Sequence, residues 1–262
     1  MRASKIMLLS ALIASSSAAL AHTPYLQPTS FDVNRSGKVS FDASFAEKFF
    51  VPEVAFNNSI FTITGPSGKQ VTPDFLSVLS VRTIAEHTLK DSGTYRVSTG
   101  DRLGKIFKIY KKDGERHSAK DPKAPLPKGA KLLSFFQSNT KAETYVTKGK
   151  PSKQALNATN NGLELVMNTH PNELFVGDEI SMNVQYDGKA IDDLTVDVML
   201  AKDQFSTDKA AYQITSDHGK LSLNVDQPGT YLLRARHRTK APEGSVAPVI
   251  SNTYTLTLEI ID

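Results

Sequence analysis

Val39-Ser40-Phe41-Asp42-Ala43-Ser44-Phe45 alternates apolar and polar side chains over seven positions. Successive side chains of an extended chain point to opposite faces, so Val39, Phe41, Ala43 and Phe45 share one face. That pattern predicts a strand with one side in a core. Outward from it, Ile60-Phe61-Thr62-Ile63-Thr64 is a β-branched and aromatic run stopped by the turn residues Gly65-Pro66-Ser67-Gly68. Further strands are predicted around Leu79 to His87, with Val81 and Ile84 as core positions, and at Gly93 to Ser98 and Lys105 to Tyr110. Short strands punctuated by Gly and Pro define a sandwich. No long stretch combines helical periodicity with caps.

From Lys111 to Lys131 the chain is crowded with Lys, Asp, Pro and Gly, which predicts a charged connector or exposed loop. Leu132 to Phe136 and Glu143 to Thr147 then read as the two arms of a hairpin. A second polar stretch, Lys148 to Asn161, joins a second domain. There, Glu179-Ile180-Ser181-Met182-Asn183-Val184 alternates, Asp187-Gly188 signals a tight turn, and Leu194, Val196, Val198 and Leu200 face inward from one strand. Lys220 to Val225, Gly229 to Ala235 and Thr253 to Ile260 complete it. Asp91-Ser92-Gly93-Thr94-Tyr95-Arg96-Val97 and Asp226-Gln227-Pro228-Gly229-Thr230-Tyr231-Leu232 echo each other, as a Gly turn feeding a strand whose Tyr buries its ring and bonds its hydroxyl. The expected domains are 22–158 and 159–262.

Residues 1–21 have the form of an export signal: Arg2 and Lys5, an apolar run from Ile6 to Ala14, then Ala19-Leu20-Ala21 before the cleavage point. The run is shorter than the roughly 20 residues that span a bilayer, and no later stretch stops transfer. The expected mature chain begins at His22 (a cut after Ala19 is the alternative), has no membrane span and lies outside the cytoplasm, in the periplasm. Losing Arg2 and Lys5 lowers the net charge from +4 to +2. That balance, without a dense Lys/Arg stripe interleaved with aromatics, argues against nucleic acid as a partner. The absence of Cys excludes disulfides, thiolate metal sites and cysteine nucleophiles.

Enzyme signatures are absent: no nucleophile elbow, no paired-histidine zinc motif, no phosphate loop and no dinucleotide fingerprint. A non-catalytic protein is expected, and the six histidines carry the remaining chemistry. A chain that starts at His22 offers an α-amine and an imidazole to one metal, a nitrogen pair suited to Cu(II) or Ni(II). Pro24 blocks extension of the chelate through the following amides, so further ligands must come from the fold. His87, His170 and His237 are the candidates. Each has a plainer reading: solvent exposure for His87, loop bonding before Pro171 for His170, and a strand end among Arg234, Arg236 and Arg238 for His237. His117 and His218 read as solvated. The aromatic stretch Phe45 to Phe56 reads as core in preference to a groove.

Ala21-His22-Thr23-Pro24-Tyr25-Leu26-Gln27-Pro28, Gly65-Pro66-Ser67-Gly68, Tyr186-Asp187-Gly188-Lys189-Ala190 and Pro228-Gly229-Thr230-Tyr231-Leu232-Leu233-Arg234-Ala235-Arg236-His237 follow one another in the order of the DUF4198 family, which the chain resembles over nearly all of its expected mature length. That resemblance implies a periplasmic component of nickel or cobalt uptake, with His22 and His237 on the family pattern. The second domain is similar to transthyretin-like, carboxypeptidase-regulatory sandwiches, through Asp187-Gly188-Lys189 and Ser216 to Leu221. Together these readings predict an all-β chain of two immunoglobulin-like or transthyretin-like β-sandwich domains. It would bind nickel, cobalt or copper through His22 and fold-supplied histidines and buffer or deliver it to a membrane metal transporter. The rival expectations are a non-catalytic module that presents loops to an envelope protein or glycan and, more remotely, a metal-dependent redox enzyme.

Overall fold

The computed structural model describes residues 22–205 and 212–262; the expected signal segment, 1–21, lies outside the described residues. The first half of the chain forms β1 (Thr23–Pro28), β2 (Asp32–Val33), β3 (Lys38–Ala46), β4 (Val54–Ala55), β5 (Thr62–Thr64) and β6 (Gln70–Val71). It continues through β7 (Phe75–Val78), β8 (Thr83–Thr88), β9 (Gly93–Ser98), β10 (Arg102–Lys112), β11 (Glu115–Ser118) and β12 (Lys131–Lys148). The second half forms β13 (Leu163–Met167), β14 (Ile180–Tyr186), β15 (Lys189–Ala190), β16 (Thr195–Leu200), β17 (Tyr212–Thr215), β18 (Lys220–Leu223), β19 (Gly229–Lys240) and β20 (Val249–Ile260). Among the described residues the helical elements are two short 3₁₀ turns, Gln154–Leu156 and Ala201–Phe205.

These strands make three sheets. One follows the order β1-β3-β8-β7, with β4 beside β3; a small one contains β13, β14, β15 and β18. The large sheet runs β17-β16-β19-β20-β12-β9-β5-β6 and belongs to both halves of the chain, because β12 pairs in parallel with β20 and antiparallel with β9. Its two faces serve two cores. Ala142 and Val146 of β12 join Phe41, Phe45, Phe56 and Ile63 in the first core. Tyr145, of opposite parity, joins Leu165, Met182, Val198, Leu233 and Leu256 in the second. The outer sheets therefore pack on opposite faces of the shared one, giving two sandwiches with a common middle layer.

The local chemistry agrees with the alternation. Val39, Phe41, Ala43 and Phe45 are all buried, as are Leu194, Val196, Val198 and Leu200. Phe45 stacks on Phe56 with ring centroids 4.9 Å apart. Each such ring removed from water stabilises the fold by roughly 1.5–3 kcal/mol. At Asp187-Gly188, φ angles of 49° and 75° make the turn joining β14 to β15, a conformation that the flanking twist favours and that Gly adopts without strain. Both expected tyrosine bonds form: Tyr95 donates to the Asp91 carbonyl at 2.9 Å and Tyr231 to the Gln227 carbonyl at 2.7 Å.

Several expectations are corrected. Leu132 to Thr147 is no hairpin: β12 is one strand of 18 residues, since Gln137 to Ala142 contain neither Gly nor Pro and pair with β20. The stretch 111–131 is only partly a loop, because Asp113-Gly114 turns β10 back into β11. In β8 the buried positions are Thr83 and Ala85, whereas Val81 is exposed. A third, small cluster of Tyr25, Ala46, Phe49, Met199 and Leu232 seals β1 against the shared sheet, so the 45–56 stretch contributes core side chains at Phe45, Phe49 and Phe56.

Candidate functional site

His22 enters β1 at the end where Thr23 pairs with Ala46 of β3. Across β3, Glu53 is anchored by its backbone N–H to the Phe45 carbonyl at 3.2 Å. The Glu53 carboxylate then spans the strand end: Oε1 accepts the Glu47 N–H at 2.8 Å and Oε2 lies 2.8 Å from His22 Nε2. Glu53, which sequence reasoning did not single out, thus fixes the ring. With Nε2–H donated to the carboxylate, the tautomer leaves a lone pair on Nδ1, the nitrogen nearest the His22 backbone amine. The pair is open to solvent, with the His22 side chain 42% accessible.

The other three histidines lie elsewhere. His237 and His22 sit on opposite faces of the shared sheet. Arg234 Nη1 donates to Thr23 Oγ1 at 2.8 Å on the side of β1. His237, three residues further along β19 and of opposite parity, turns to the second core's side and rests against Tyr186 with centroids 5.3 Å apart. Burial lowers its pKa. His237 is not a strand end, because β19 continues to Lys240, and the three arginines point away from it. Arg234 pairs with Asp197 at 2.7 Å, and Arg238 lies over the Phe136 ring at 5.1 Å.

His170 is buried with both ring nitrogens engaged. Nδ1 accepts the Asn172 N–H at 3.2 Å, so Nε2 carries the proton toward the Ser152 carbonyl at 3.2 Å and Thr94 Oγ1 at 3.0 Å. No lone pair remains for a metal. It is a structural pin between loops of the two halves.

His87 pairs with Val39 on β3, seven residues from the Ala46 end beside His22. At strand rise that is roughly 23 Å. Its side chain is only 11% accessible, on the inward parity of β8, and Nδ1 lies 3.1 Å from the Asp74 carboxylate. The Thr88 N–H, bonding at 2.8 Å, leads the groups that hold Asp74 below the usual carboxylate range.

The expected convergence of His22 with His237, His170 or His87 therefore does not occur. Among the described residues, one group of three potential ligands comes together, Asp192, Asp217 and His218, and all three are exposed. Of the four expected ligands, His22 keeps a free ring nitrogen facing solvent, with Glu53 as the partner that orients its ring.

The class is thus an all-β protein of two β-sandwiches built on one shared sheet, with a solvent-facing His–carboxylate pair at the edge of the first. Its sequence matches the model of DUF4198, described as a domain of unknown function, over residues 19–239, and the chain belongs to that family. Comparison with curated proteins finds no match. Among solved structures, the D0-D1 domain of intimin is 12% identical, with 90% of this chain and 97% of that one covered at a TM-score of 0.22. The titin domains Z1Z2 in complex with telethonin are 13% identical, covering 91% and 94% at 0.19. The fibronectin(III)-like modules of Clostridium thermocellum CbhA are 8% identical, covering 90% and 94% at 0.19. Likenesses of this size carry no argument, and the fold rests on the strands described above.

Proposed function

We propose that this protein is an exported, non-catalytic carrier of a divalent transition metal, copper, nickel or cobalt, held by an amino-terminal chelate at His22. Export and cleavage after Ala21 would convert the His22 amide into an α-amine beside the free Nδ1. The observation that carries the reading is the 2.8 Å contact from His22 Nε2 to Glu53. A carboxylate on the far ring nitrogen orients an imidazole, fixes its tautomer and makes the other nitrogen a better ligand. Two nitrogens from one residue leave coordination positions open, and the site faces solvent. That suits buffering in the periplasm and hand-over to a membrane transporter better than permanent retention.

The test is titration of Cu(II) and Ni(II) into protein exported with its own leader, its first residue established by mass spectrometry. One-to-one binding is expected. It should be lost in His22→Ala and in a variant carrying one residue before His22, and weakened about 10–100-fold in Glu53→Gln. Binding that none of these changes would refute the chelate. The second reading, a non-catalytic envelope interaction module, is favoured by β7, an edge strand whose Phe75, Leu76 and Val78 are exposed. It would then stand in front.

A further inference from the structure

Beyond Arg102, whose guanidinium lies over Phe45 of the first core at 5.0 Å, the chain to Phe136 stands apart from both cores. β11, β10 and the first part of β12 form a three-stranded ribbon, and β20 begins to pair with β12 only at Gln137. No residue from Gly100 to Asn139 is buried. Charge is concentrated there: residues 102–136 carry ten Lys or Arg against three Asp or Glu, a local +7. The rest of the chain from residue 22 onward is net −5. Lys108 Nζ donates to the Ala124 carbonyl at 2.6 Å, tying the following loop back onto the ribbon. At the distal part Lys131 pairs with Lys111 and Leu132 with Tyr110. Leu132 and Leu133 are 44% and 49% exposed, beside those lysines.

We infer that this ribbon docks on an anionic phospholipid surface, with Leu132 and Leu133 entering the headgroup region and the surrounding lysines meeting lipid phosphates. Apolar side chains flanked by Lys fit an interface that is hydrocarbon below and negative above. The basic residues are eight Lys and two Arg, suited to a diffuse negative surface more than to bidentate readout of bases. The ribbon's rings are also engaged within the ribbon. Phe107 and Phe136 stack on each other at 5.2 Å, Tyr110 stacks on His117 at 5.4 Å, and Phe135 carries Lys108 at 5.0 Å. The leucines are what the ribbon leaves free. This inference is independent of the chelate at His22.

The test is co-sedimentation of the full exported chain with vesicles of phosphatidylglycerol and, separately, of phosphatidylcholine. Binding to phosphatidylglycerol alone is expected, with release at high salt. Each ribbon lysine removed should weaken it about fivefold, so Lys111→Gln, Lys128→Gln and Lys131→Gln together should weaken it about a hundredfold. Leu132→Ser with Leu133→Ser should weaken it about tenfold or more and leave the salt dependence in place. Lys189→Gln with Lys220→Gln, exposed positions of the small sheet, should change nothing, and an unchanged thermal midpoint in every variant excludes misfolding. Absence of wild-type binding, equal binding to both lipids, or no loss in the lysine variant would overturn the inference. So would binding to duplex DNA that is tighter than to vesicles and indifferent to the leucines.

Discussion

Replacing Glu143 tests the claim that the two sandwiches are joined by a buried polar network as well as by strand pairing. Glu143 on β12 is 3% exposed, and its Oε2 accepts the Tyr254 hydroxyl of β20 at 2.8 Å. Burial works against the Arg96 guanidinium of β9, yet Glu143 leads the groups that hold its pKa up. Arg96 Nη1 also donates to the Asn157 carbonyl in the segment between the halves, at 2.9 Å. Glu143→Ala leaves a buried hydroxyl unpaired and removes the anion facing a buried cation. Breaking one side of such a network costs about 3–5 kcal/mol, or a melting point lower by roughly 10 °C in a chain of this size. Tyr254→Phe removes one hydrogen bond and should cost about 1–2 kcal/mol. Because the two side chains touch, the double variant should cost less than the sum by about 1 kcal/mol or more. Urea unfolding followed by circular dichroism measures all three, and the wild type should unfold in one transition. Strict additivity, with Glu143→Ala below about 1 kcal/mol, would refute the network. Two transitions, only one of them moved, would refute the coupling of the sandwiches.

The two tyrosine bonds differ in number as well as place. Tyr95 both donates to the Asp91 carbonyl and accepts the Asp91 N–H at 3.0 Å, whereas Tyr231 only donates. Tyr95→Phe should therefore lose about 2 kcal/mol and Tyr231→Phe about 1 kcal/mol in urea, and equal losses would sink the distinction. Burial pushes the Asp197 carboxyl up, but hydrogen bonds from Gln213 and Arg234 outweigh it and hold the pKa below the usual range. Its contribution to stability is thus present above the unfolded carboxylate pKa and lost as pH falls through the lowered value. Asp197→Asn should flatten the drop in melting temperature below about pH 4, and an unchanged acid limb would contradict this.

Features set by residues near one another in the chain were legible in the sequence. The alternation at Val39 to Phe45, the Asp187-Gly188 turn and the two tyrosine turns all depend on spacing within one strand or one turn. β12 was misread because its middle, Gln137 to Ala142, is polar in sequence. Its partners there are polar too: Asn139 donates to Asn252 at 3.1 Å, and Lys141 Nζ donates to the Asn161 carbonyl at 3.0 Å. A strand that pairs with side-chain hydrogen bonds across a long sequence separation has no local signature. The same holds for Glu53, which reaches His22 only because β3 runs between β1 and β4. Strand parity could have separated His237 from Arg234 and Arg236 in advance. It could not say on which face β1 would lie. The basic ribbon was hidden by averaging, since a net charge of +2 for the expected mature chain conceals +7 on one projection and −5 on the rest.

The two proposed surfaces meet on one face of the fold. Leu232, Arg234 and Arg238 point the same way from β19, into three different neighbourhoods. Leu232 packs under Tyr25 and Phe49, Arg234 bonds Thr23 beside His22, and Arg238 covers Phe136 at the base of the ribbon. Four residues of extended strand separate the second contact from the third, roughly 13 Å. Both contacts are held by one 12-residue strand, paired with β20 along its whole length and with β16 from Tyr231 to Ala235, which ties the ribbon base to the His22 edge. A ribbon docked on lipid would therefore fix the height and heading of the chelate above the membrane, with its open side still in solvent. Under the proposed function, such an arrangement would favour passing a metal to a membrane-embedded acceptor, because it would raise the protein's concentration in the acceptor's plane without occupying the ligand positions that the transfer needs. It also separates the roles of the variants: ribbon lysines should govern where the carrier sits, and His22 and Glu53 should govern what it holds.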